Sequence, residues 1–274
     1  MGLFLKAGIL CLGLFLLSGC VSLEFLKADT DYPLAGTEKR ERGEAIADQL
    51  VKIGKPDAAI PIYQRLLSSL TEVDRGRLLV KLGQAQYQAG HFEPAIQSFL
   101  AAREVKSDIC TVDTGMAKSL LAIGEASLAT VRYENCLTIA PENTNAQEGW
   151  ALAAVISRED SDALELLEKF AAGHPEDIRR QNNYALALIL MGNFRKSQQH
   201  LEKYAYSIDG AYALRQNLAL VLALSGDEAG ARYVALLDLP PDQAESNLRY
   251  YRRLRYGQNK SALKSVLLGV SMVK

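Results

Sequence analysis

The chain has 274 residues, of which 49% are hydrophobic, and its 31 basic and 32 acidic residues give a formal net charge of −1. This composition is typical of a folded globular protein and lacks the excess positive charge of a nucleic-acid-binding chain. The three histidines, His91, His174 and His200, lie far apart in the sequence. Their separation argues against a histidine-rich metal site.

Residues 1–19 have the pattern of an export signal. Lys6 is the only charge among them, and the apolar run over 7–17 is too short to span a bilayer comfortably. The run ends in a bacterial lipobox-like motif, Leu17-Ser18-Gly19-Cys20. That resemblance implies cleavage before Cys20 and acylation of its thiol. Val21 in the next position implies sorting to the outer membrane. The alternative is an uncleaved anchor with an incidental cysteine.

Residues 20–39 have no sustained hydrophobic period and include Pro33 and Gly36. We therefore predict a flexible, lipidated tether between the membrane and a folded domain. Two or three acyl chains on Cys20 would hold the protein on a membrane stably, whereas one chain would not.

Two series of small residues recur through the rest of the chain in one register. The first is Ala47, Gly83, Ala117, Ala151, Ala185 and Ala219, and the second is Ala59, Ala95, Ala129, Ala163, Ser197 and Ala231. Both series step by 36 residues once and then by 34 four times. Between them, turn glycines recur at Gly54, Gly90, Gly124, Gly192 and Gly226. Small residues allow close helix packing, and the period resembles the tetratricopeptide repeat (TPR), a helix–turn–helix unit.

We therefore predict an all-α, right-handed TPR-like solenoid of about six repeats over residues 40–256. The repeats fall at roughly 40–73, 76–109, 110–143, 144–177, 178–211 and 212–238. In repeat four the glycine turn is replaced by Arg158-Glu159-Asp160-Ser161. A capping helix from Gln243 to about Tyr256 closes the array, and residues 257–274 form a basic tail.

Cys110 and Cys136 lie in one predicted repeat, at helix ends that an antiparallel hairpin brings together. In an exported protein such a pair can form a disulfide. The alternative is two buried thiols that behave as small hydrophobic side chains.

The TPR resemblance also implies a concave groove lined by the first helix of each repeat. The polar residues that it places there are Arg77, Gln84, Tyr87, Gln88, Arg179, Asn182, Asn183, Gln216 and Asn217. The apolar residues are Val80, Leu186, Ile189, Leu190 and Leu220. Such amides can bond a peptide backbone while the aliphatic residues accept its apolar side chains. The alternative is that Asn183 and Asn217 bond local backbone across repeats.

The C-terminal end is basic. No acidic side chain follows Glu245, whereas a basic patch is formed by Arg249, Arg252, Arg253 and Arg255, followed by Lys260, Lys264 and Lys274. Apolar residues from Ala262 to Val273 give the tail a weak helical stripe. A basic amphipathic tail suits anionic lipid or an acidic partner. The alternative is a frayed end on a charged capping helix.

No motif in the sequence points to catalysis. A phosphate-binding glycine loop, zinc-ligand spacing and a Ser-His-Asp or Cys-His arrangement are all missing from the sequence. We therefore predict a non-enzymatic protein that uses no cofactor and no metal.

The C-terminal half resembles the TadD family of TPR lipoproteins of tight-adherence (Flp) pilus assembly. The resemblance is carried by the run from Arg215 to Gly226, then by Asp238-Leu239-Pro240-Pro241, Ala244, Asn247 and Tyr250-Tyr251-Arg252. It implies a lipid-anchored protein on the periplasmic face of the outer membrane. Its implied role is a pilotin-like assembly factor or scaffold that binds the pilus secretin and other tight-adherence proteins. The alternative is an adaptor for β-barrel assembly or peptidoglycan enzymes.

Overall fold

The computed structural model describes residues 37–68, 72–105, 107–206, 211–257 and 260–267. These residues form fourteen α-helices and no strand. None of these helices is both long enough and apolar enough to cross a membrane. The predictions that fall outside the described residues are the signal peptide, Cys20 with residues 20–36 of the tether, and residues 268–274 of the tail.

Twelve of the fourteen helices form six consecutive hairpins, which confirms the predicted all-α, TPR-like solenoid. Their bounds are α1 (Thr37–Lys52) and α2 (Pro56–Leu67), α3 (Glu72–Gln88) and α4 (Phe92–Glu104), α5 (Ile109–Ala122) and α6 (Ala126–Ile139), α7 (Thr144–Arg158) and α8 (Ser161–Gly173), α9 (Ile178–Leu190) and α10 (Phe194–Ala205), and α11 (Tyr212–Ser225) and α12 (Glu228–Ala235). Helix α1 begins at Thr37, so the solenoid starts inside the segment predicted as tether.

Acidic or amide side chains begin many of the helices. Each accepts a hydrogen bond from a backbone N–H group in the first turn that would otherwise lack a helical partner. These capping residues are Asp108 for α5, Asn143 for α7, Asp160 for α8, Asp177 for α9 and Asp227 for α12. Helix α2 instead begins at Pro56, whose missing N–H costs nothing at that position.

Five of the six hairpin turns use glycine in the left-handed region, with φ between +74° and +98°. A side chain there is strained, which explains the recurring turn glycines. Repeat four differs because α7 continues to Arg158 and Glu159 takes the left-handed conformation, with φ of 58°. The left-handed residue therefore lies one position later than the glycine register predicts.

Aromatic residues of the second helices pack against glycines of the first helices. Phe99 of α4 lies between Gly83 of α3 and Gly115 of α5, and a β-carbon at Gly115 would come within 2.4 Å of its ring. Tyr133 of α6 meets Gly149 of α7 in the same way, at 2.3 Å. Neighbouring repeats can approach this closely because the glycines present no β-carbon to the aromatic rings.

The buried side chains form two clusters. The first runs through repeats one to four, and the second fills repeats five and six with the capping helix. Helix α9 contributes to both, with Leu188 and Leu190 in the first cluster and Ala185 and Ile189 in the second. Repeat five is therefore the junction between two packed halves of the array.

Two helices follow the last hairpin: α13 (Pro241–Gly257), the predicted cap, and α14 (Lys260–Leu267), within the predicted tail. Ala262 is buried in the second cluster, and Leu263 packs against both clusters. The ammonium group of Lys260 lies 2.8 Å from the carboxylate of Glu159. The first half of the tail thus packs on the solenoid.

Candidate partner-binding groove

The first helices of repeats two to five line a groove made of two adjoining cavities. The larger cavity, of about 640 Å³, is lined mainly by α3, α5, α7 and α9. The smaller, of about 350 Å³, is lined mainly by α3, α5 and the start of α7. The two cavities share Tyr87, Lys118 and Asn145. A continuous surface of first helices, as the TPR resemblance implied, is therefore present.

The walls combine aliphatic side chains with amides. The aliphatic residues of the larger cavity include Leu121, Leu152, Leu186 and Leu190, and Asn145 and Asn183 lie among them. Gln84 and Gln88 line the smaller cavity. Amides offer both donors and acceptors to a peptide backbone, and leucines accept apolar side chains. The predicted groove residues Tyr87, Gln88, Arg179 and Asn183 all line one cavity or both.

A buried carboxylate ties repeat four to repeat five beneath the larger cavity. Glu148 of α7 is only 2% exposed. Its oxygens accept hydrogen bonds from Arg179 at 2.8 Å, Arg180 at 3.1 Å and Asn183 at 3.4 Å. Arg179 also contacts Asp177 at 3.2 Å. Because Glu148 already has three donors, its charge is compensated within the chain.

Lys118 of α5 stands between the two cavities without such a partner. It lines both of them and is exposed. In the part of the chain that the structure describes, it makes no hydrogen bond and no ion pair. The surrounding protein lowers the pKa of Lys118 by desolvation, and the Arg179 charge lowers it further, while Glu148 offsets part of the effect.

Lys118 is not among the predicted groove residues, because the groove positions were assigned only in repeats two, five and six. Lys118 lies 34 residues after Gln84 and 34 before Leu152, and both of these line the groove. The repeat period applied to the third repeat would have found it. What the period could not indicate is that this cation lacks a partner.

At the N-terminal end, the predicted groove residue Arg77 belongs to a contact between repeats and lines neither cavity. Its guanidinium donates to the carboxylate of Glu44 on α1, with one bond of 2.9 Å, and this contact lowers the pKa of Glu44. Lys81 reaches Asp48 at 2.5 Å, and Asp48 also accepts a bond from the Tyr63 hydroxyl at 2.7 Å. The polar side chains here bond each other across α1, α2 and α3.

At the C-terminal end, the predicted groove amides also bond each other. Asn217 donates to the side-chain oxygen of Asn182 at 2.6 Å, so its partner is a side chain and not local backbone. Gln216 lies 3.4 Å from Asp238, which is held by two bonds of 2.7 Å from Arg215. Whether any of these amides also contacts a partner stays a prediction.

Two of the apolar groove residues were placed wrongly. Ile189 and Leu220 are each only 1% exposed and belong to the second buried cluster. They face the neighbouring helices, because α9 packs against α10 and α11, and α11 packs against α12 and α13. Leu186 and Leu190 remain on the cavity wall.

The basic patch is spread along α13, and its members have different neighbours. Arg252 forms two hydrogen bonds to Glu228 of α12, at 2.8 and 3.2 Å. The guanidinium groups of Arg253 and Arg255 lie 5.6 Å from the rings of Tyr250 and Tyr256. Arg249 is exposed. Binding of lipid or an acidic partner by this patch stays a prediction.

Cys110 and Cys136 are joined in the structure, with their Cα atoms 4.3 Å apart. Cys136 is fully buried, whereas Cys110 lies at the wall of the smaller cavity. The amide of Asn143 lies 3.3 Å from the Cys110 sulfur. The geometry therefore permits the predicted disulfide, and its formation in the exported protein stays a prediction.

Comparison with solved structures shows the same fold at low sequence identity. A tetratricopeptide repeat protein from Parabacteroides merdae superposes with a TM-score of 0.62 and 17% identity, over 87% of this chain and 95% of its own. A fragment of MamA from Desulfovibrio magneticus superposes with a TM-score of 0.51 and 18% identity, over 62% of this chain and 94% of its own. No protein-family model and no curated protein matches the sequence.

Proposed function

We propose that this chain is a non-enzymatic scaffold that binds an extended segment of a protein partner in the groove of repeats two to five. The observation that carries this proposal is the lining of the two adjoining cavities, where amides and leucines lie on either side of a cation that both cavities share and that has no partner among the described residues. Amides suit a peptide backbone, and leucines suit its apolar side chains. An extended segment would use both along the whole groove.

We further propose that the partner is the secretin of a tight-adherence (Flp) pilus and that the role is pilotin-like. The C-terminal resemblance to TadD-family lipoproteins supports this assignment, and the lipobox supports anchoring at the periplasmic face of the outer membrane. The lipid on Cys20 would then determine location, and the groove would determine which protein is held there. Confining both proteins to one membrane raises their effective concentration.

Site-specific crosslinking in cells tests both levels of the proposal. A photo-reactive amino acid would replace Gln88 or Leu186, each on a cavity wall, and Lys169 on the exposed side of α8 would serve as the control position. Secretin crosslinked from the groove positions and not from position 169 would support the assignment. Barrel-assembly or peptidoglycan proteins at the same positions would identify the alternative adaptor role. Equal labelling at all three positions would overturn groove binding.

The anchoring part of the proposal has its own test. We expect Cys20→Ala to release the protein from the membrane and abolish pilus assembly, because the acyl chains supply its membrane affinity. The helical circular dichroism signal should not change, since Cys20 lies outside the helices that the structure describes, the first of which begins at Thr37. An unlipidated variant that remains in the soluble fraction and still supports assembly would contradict the tethering role.

A further inference from the structure

We propose that Lys118 recognises an acidic side chain in the middle of the bound segment, and that the groove therefore selects an extended peptide with an internal aspartate or glutamate. This inference rests on the proposed function, because it assumes that the groove is where the partner binds. It adds the chemistry that the partner segment must carry.

The charge balance of the groove supports this inference. Among the described residues that line the two cavities, the charged side chains are Lys118, Arg179 and Glu148. Glu148 is bonded to Arg179, Arg180 and Asn183 and forms no ion pair with Lys118, whose pKa stays lowered despite the Glu148 charge. A cation in a partly desolvated groove without a counter-ion is unfavourable, and a carboxylate from a ligand would remove that cost.

The position of Lys118 along the groove indicates which part of a bound segment it would meet. It is shared by both cavities, together with Tyr87 and Asn145. The wall continues on one side to Gln84 and Gln88, and on the other to Leu186 and Leu190. A peptide that ended at Lys118 would leave one cavity empty. A segment that fills both places an internal side chain at the cation, which points to aspartate or glutamate instead of a C-terminal carboxylate.

The span of the groove determines the length of the segment that it can hold. The groove crosses four first helices, and packed helices lie about 8–10 Å apart, so three steps span about 24–30 Å. An extended chain rises about 3.3 Å per residue, which corresponds to about seven to nine residues. A nonapeptide with its acidic residue at the centre is therefore the matched probe.

The probes are libraries of nonapeptides with acetylated N-termini and amidated C-termini, captured on the full-length lipidated protein in detergent. One library has glutamate fixed at position five, and its partner library has glutamine there. We expect the glutamate library to yield the binders, with an advantage of about tenfold or more for the central carboxylate in matched peptides. Equal binding of glutamate and glutamine peptides would overturn the inference. So would a glutamine peptide with a free C-terminal carboxylate that binds as tightly as the glutamate peptide.

Two variants then test whether Lys118 is the residue responsible for the preference. Lys118→Met should lower the affinity for the glutamate peptide about tenfold and remove the discrimination against glutamine, as in a double-mutant cycle. Lys169→Met, an exposed lysine on α8, should change neither. A discrimination that survives in Lys118→Met would overturn the inference.

Leu186→Ala separates failure of this inference from failure of the proposed function. It removes an aliphatic contact from the larger cavity and leaves Lys118 in place. If Leu186→Ala weakens binding and Lys118→Met does not, the groove is the binding site but the carboxylate assignment is wrong. If neither variant weakens the binding of any captured peptide, groove binding itself is wrong, and this inference falls with it.

Discussion

The first helices present two different surfaces along one array. In repeats two to four, and along the face of α9 that carries Asn183 and Leu186, they line the open groove, where Lys118 has no bonding partner among the described residues and Asn145 lines both cavities. Towards repeat six the polar side chains bond one another, with Asn182 bonded to Asn217 and Gln216 close to Asp238. The same repeat period thus produces an open half, with a lysine that has no partner among the described residues, and a closed half whose polar side chains are paired.

The difference follows from what packs behind each half. Helix α11 contacts α12 and α13, so the last repeat has a helix on either side and its polar side chains meet one another. In the middle of the array, Gly115 and Gly149 lie against Phe99 and Tyr133, and these four residues are part of the cavity lining. A residue's place in the repeat therefore does not make it a ligand contact. The neighbouring side chains decide that.

The largest effect on stability is expected from the disulfide in the open half. Joining Cys110 to Cys136 closes a loop with a sequence separation of 26 residues, which in the chain-entropy model stabilises repeat three by about 3–4 kcal/mol. We expect non-reducing peptide mapping to recover the linked peptides, and dithiothreitol to lower the denaturation midpoint of the wild type. The Cys110→Ala/Cys136→Ala double variant serves as the control, since its midpoint should not respond to dithiothreitol. Two alkylated thiols in the unreduced wild type would dispose of the bridge.

The next largest effect on stability tests the packing of aromatic rings against glycines in the open half. Gly149→Ala would place a methyl group 2.3 Å from the buried Tyr133 ring, and such overpacking costs about 2–3 kcal/mol. The matched control is Gly173→Ala, where a β-carbon meets nothing within 4 Å. We expect thermal unfolding to occur several degrees lower for the first variant and to be nearly unchanged for the second. Equal midpoints would show that neighbouring repeats can shift to accept the methyl group.

A third prediction concerns the satisfied network of the closed half. Arg215→Ala leaves the Asp238 carboxylate without its two bonds of 2.7 Å, and we expect a loss of about 2 kcal/mol in unfolding free energy. Arg215 lowers the pKa of Asp238 below its ordinary value of 3.8. The stability from this pair is therefore present above that value and is lost as the pH falls through the lowered pKa.

Urea denaturation at several pH values measures this dependence. The difference between wild type and Arg215→Ala should be constant near neutral pH and should shrink below about pH 4. Arg249→Ala is the control, because Arg249 is an exposed arginine on α13. This variant should lose no more than about 0.5 kcal/mol of unfolding free energy. A difference that persisted undiminished at low pH would mean that Arg215 acts through packing and not through the carboxylate.

The repeats and the capping helix could be predicted from the sequence because small residues and turn glycines repeat locally. The cap predicted from Gln243 to Tyr256 is observed as Pro241–Gly257. The partners of individual polar side chains could not be predicted in this way. Asn217 bonds Asn182, 35 residues earlier, and Lys260 bonds Glu159, 101 residues earlier. Such pairs depend on how the array curves, which no local pattern encodes.

Repeat four and the tail illustrate the same limit. The sequence shows two irregularities separately, a missing turn glycine and a long basic end. The structure brings them together, because Glu159 takes the left-handed position and receives the Lys260 ammonium group at 2.8 Å. The pair also lowers the pKa of Glu159. The substitution that breaks the repeat thus provides the contact for the helix that follows the cap.

The smallest effect on stability is expected from substitution of Lys118. The sign of that effect distinguishes a lysine without a counter-ion from a lysine in an ion pair. Desolvation and Arg179 lower the pKa of Lys118 in the folded chain, so its charged form destabilises the folded state below that pKa. Lys118→Met should therefore raise the thermal midpoint at neutral pH by about 1–2 °C, and the gain should vanish above the ordinary value of 10.5.

Lys81 serves as the comparison, because its substitution is expected to change the thermal midpoint in the opposite direction. Burial lowers its pKa, but its bonds to Asp48 and Glu44 outweigh burial and raise the pKa overall. Lys81→Met should therefore lower the midpoint at neutral pH, and that loss should disappear as the pH rises through the raised pKa. If Lys118→Met were destabilising as well, Lys118 would have a partner within the folded chain. Its ammonium group would then not be available to a ligand. The contrast between the open and the closed half of the array would fail at Lys118.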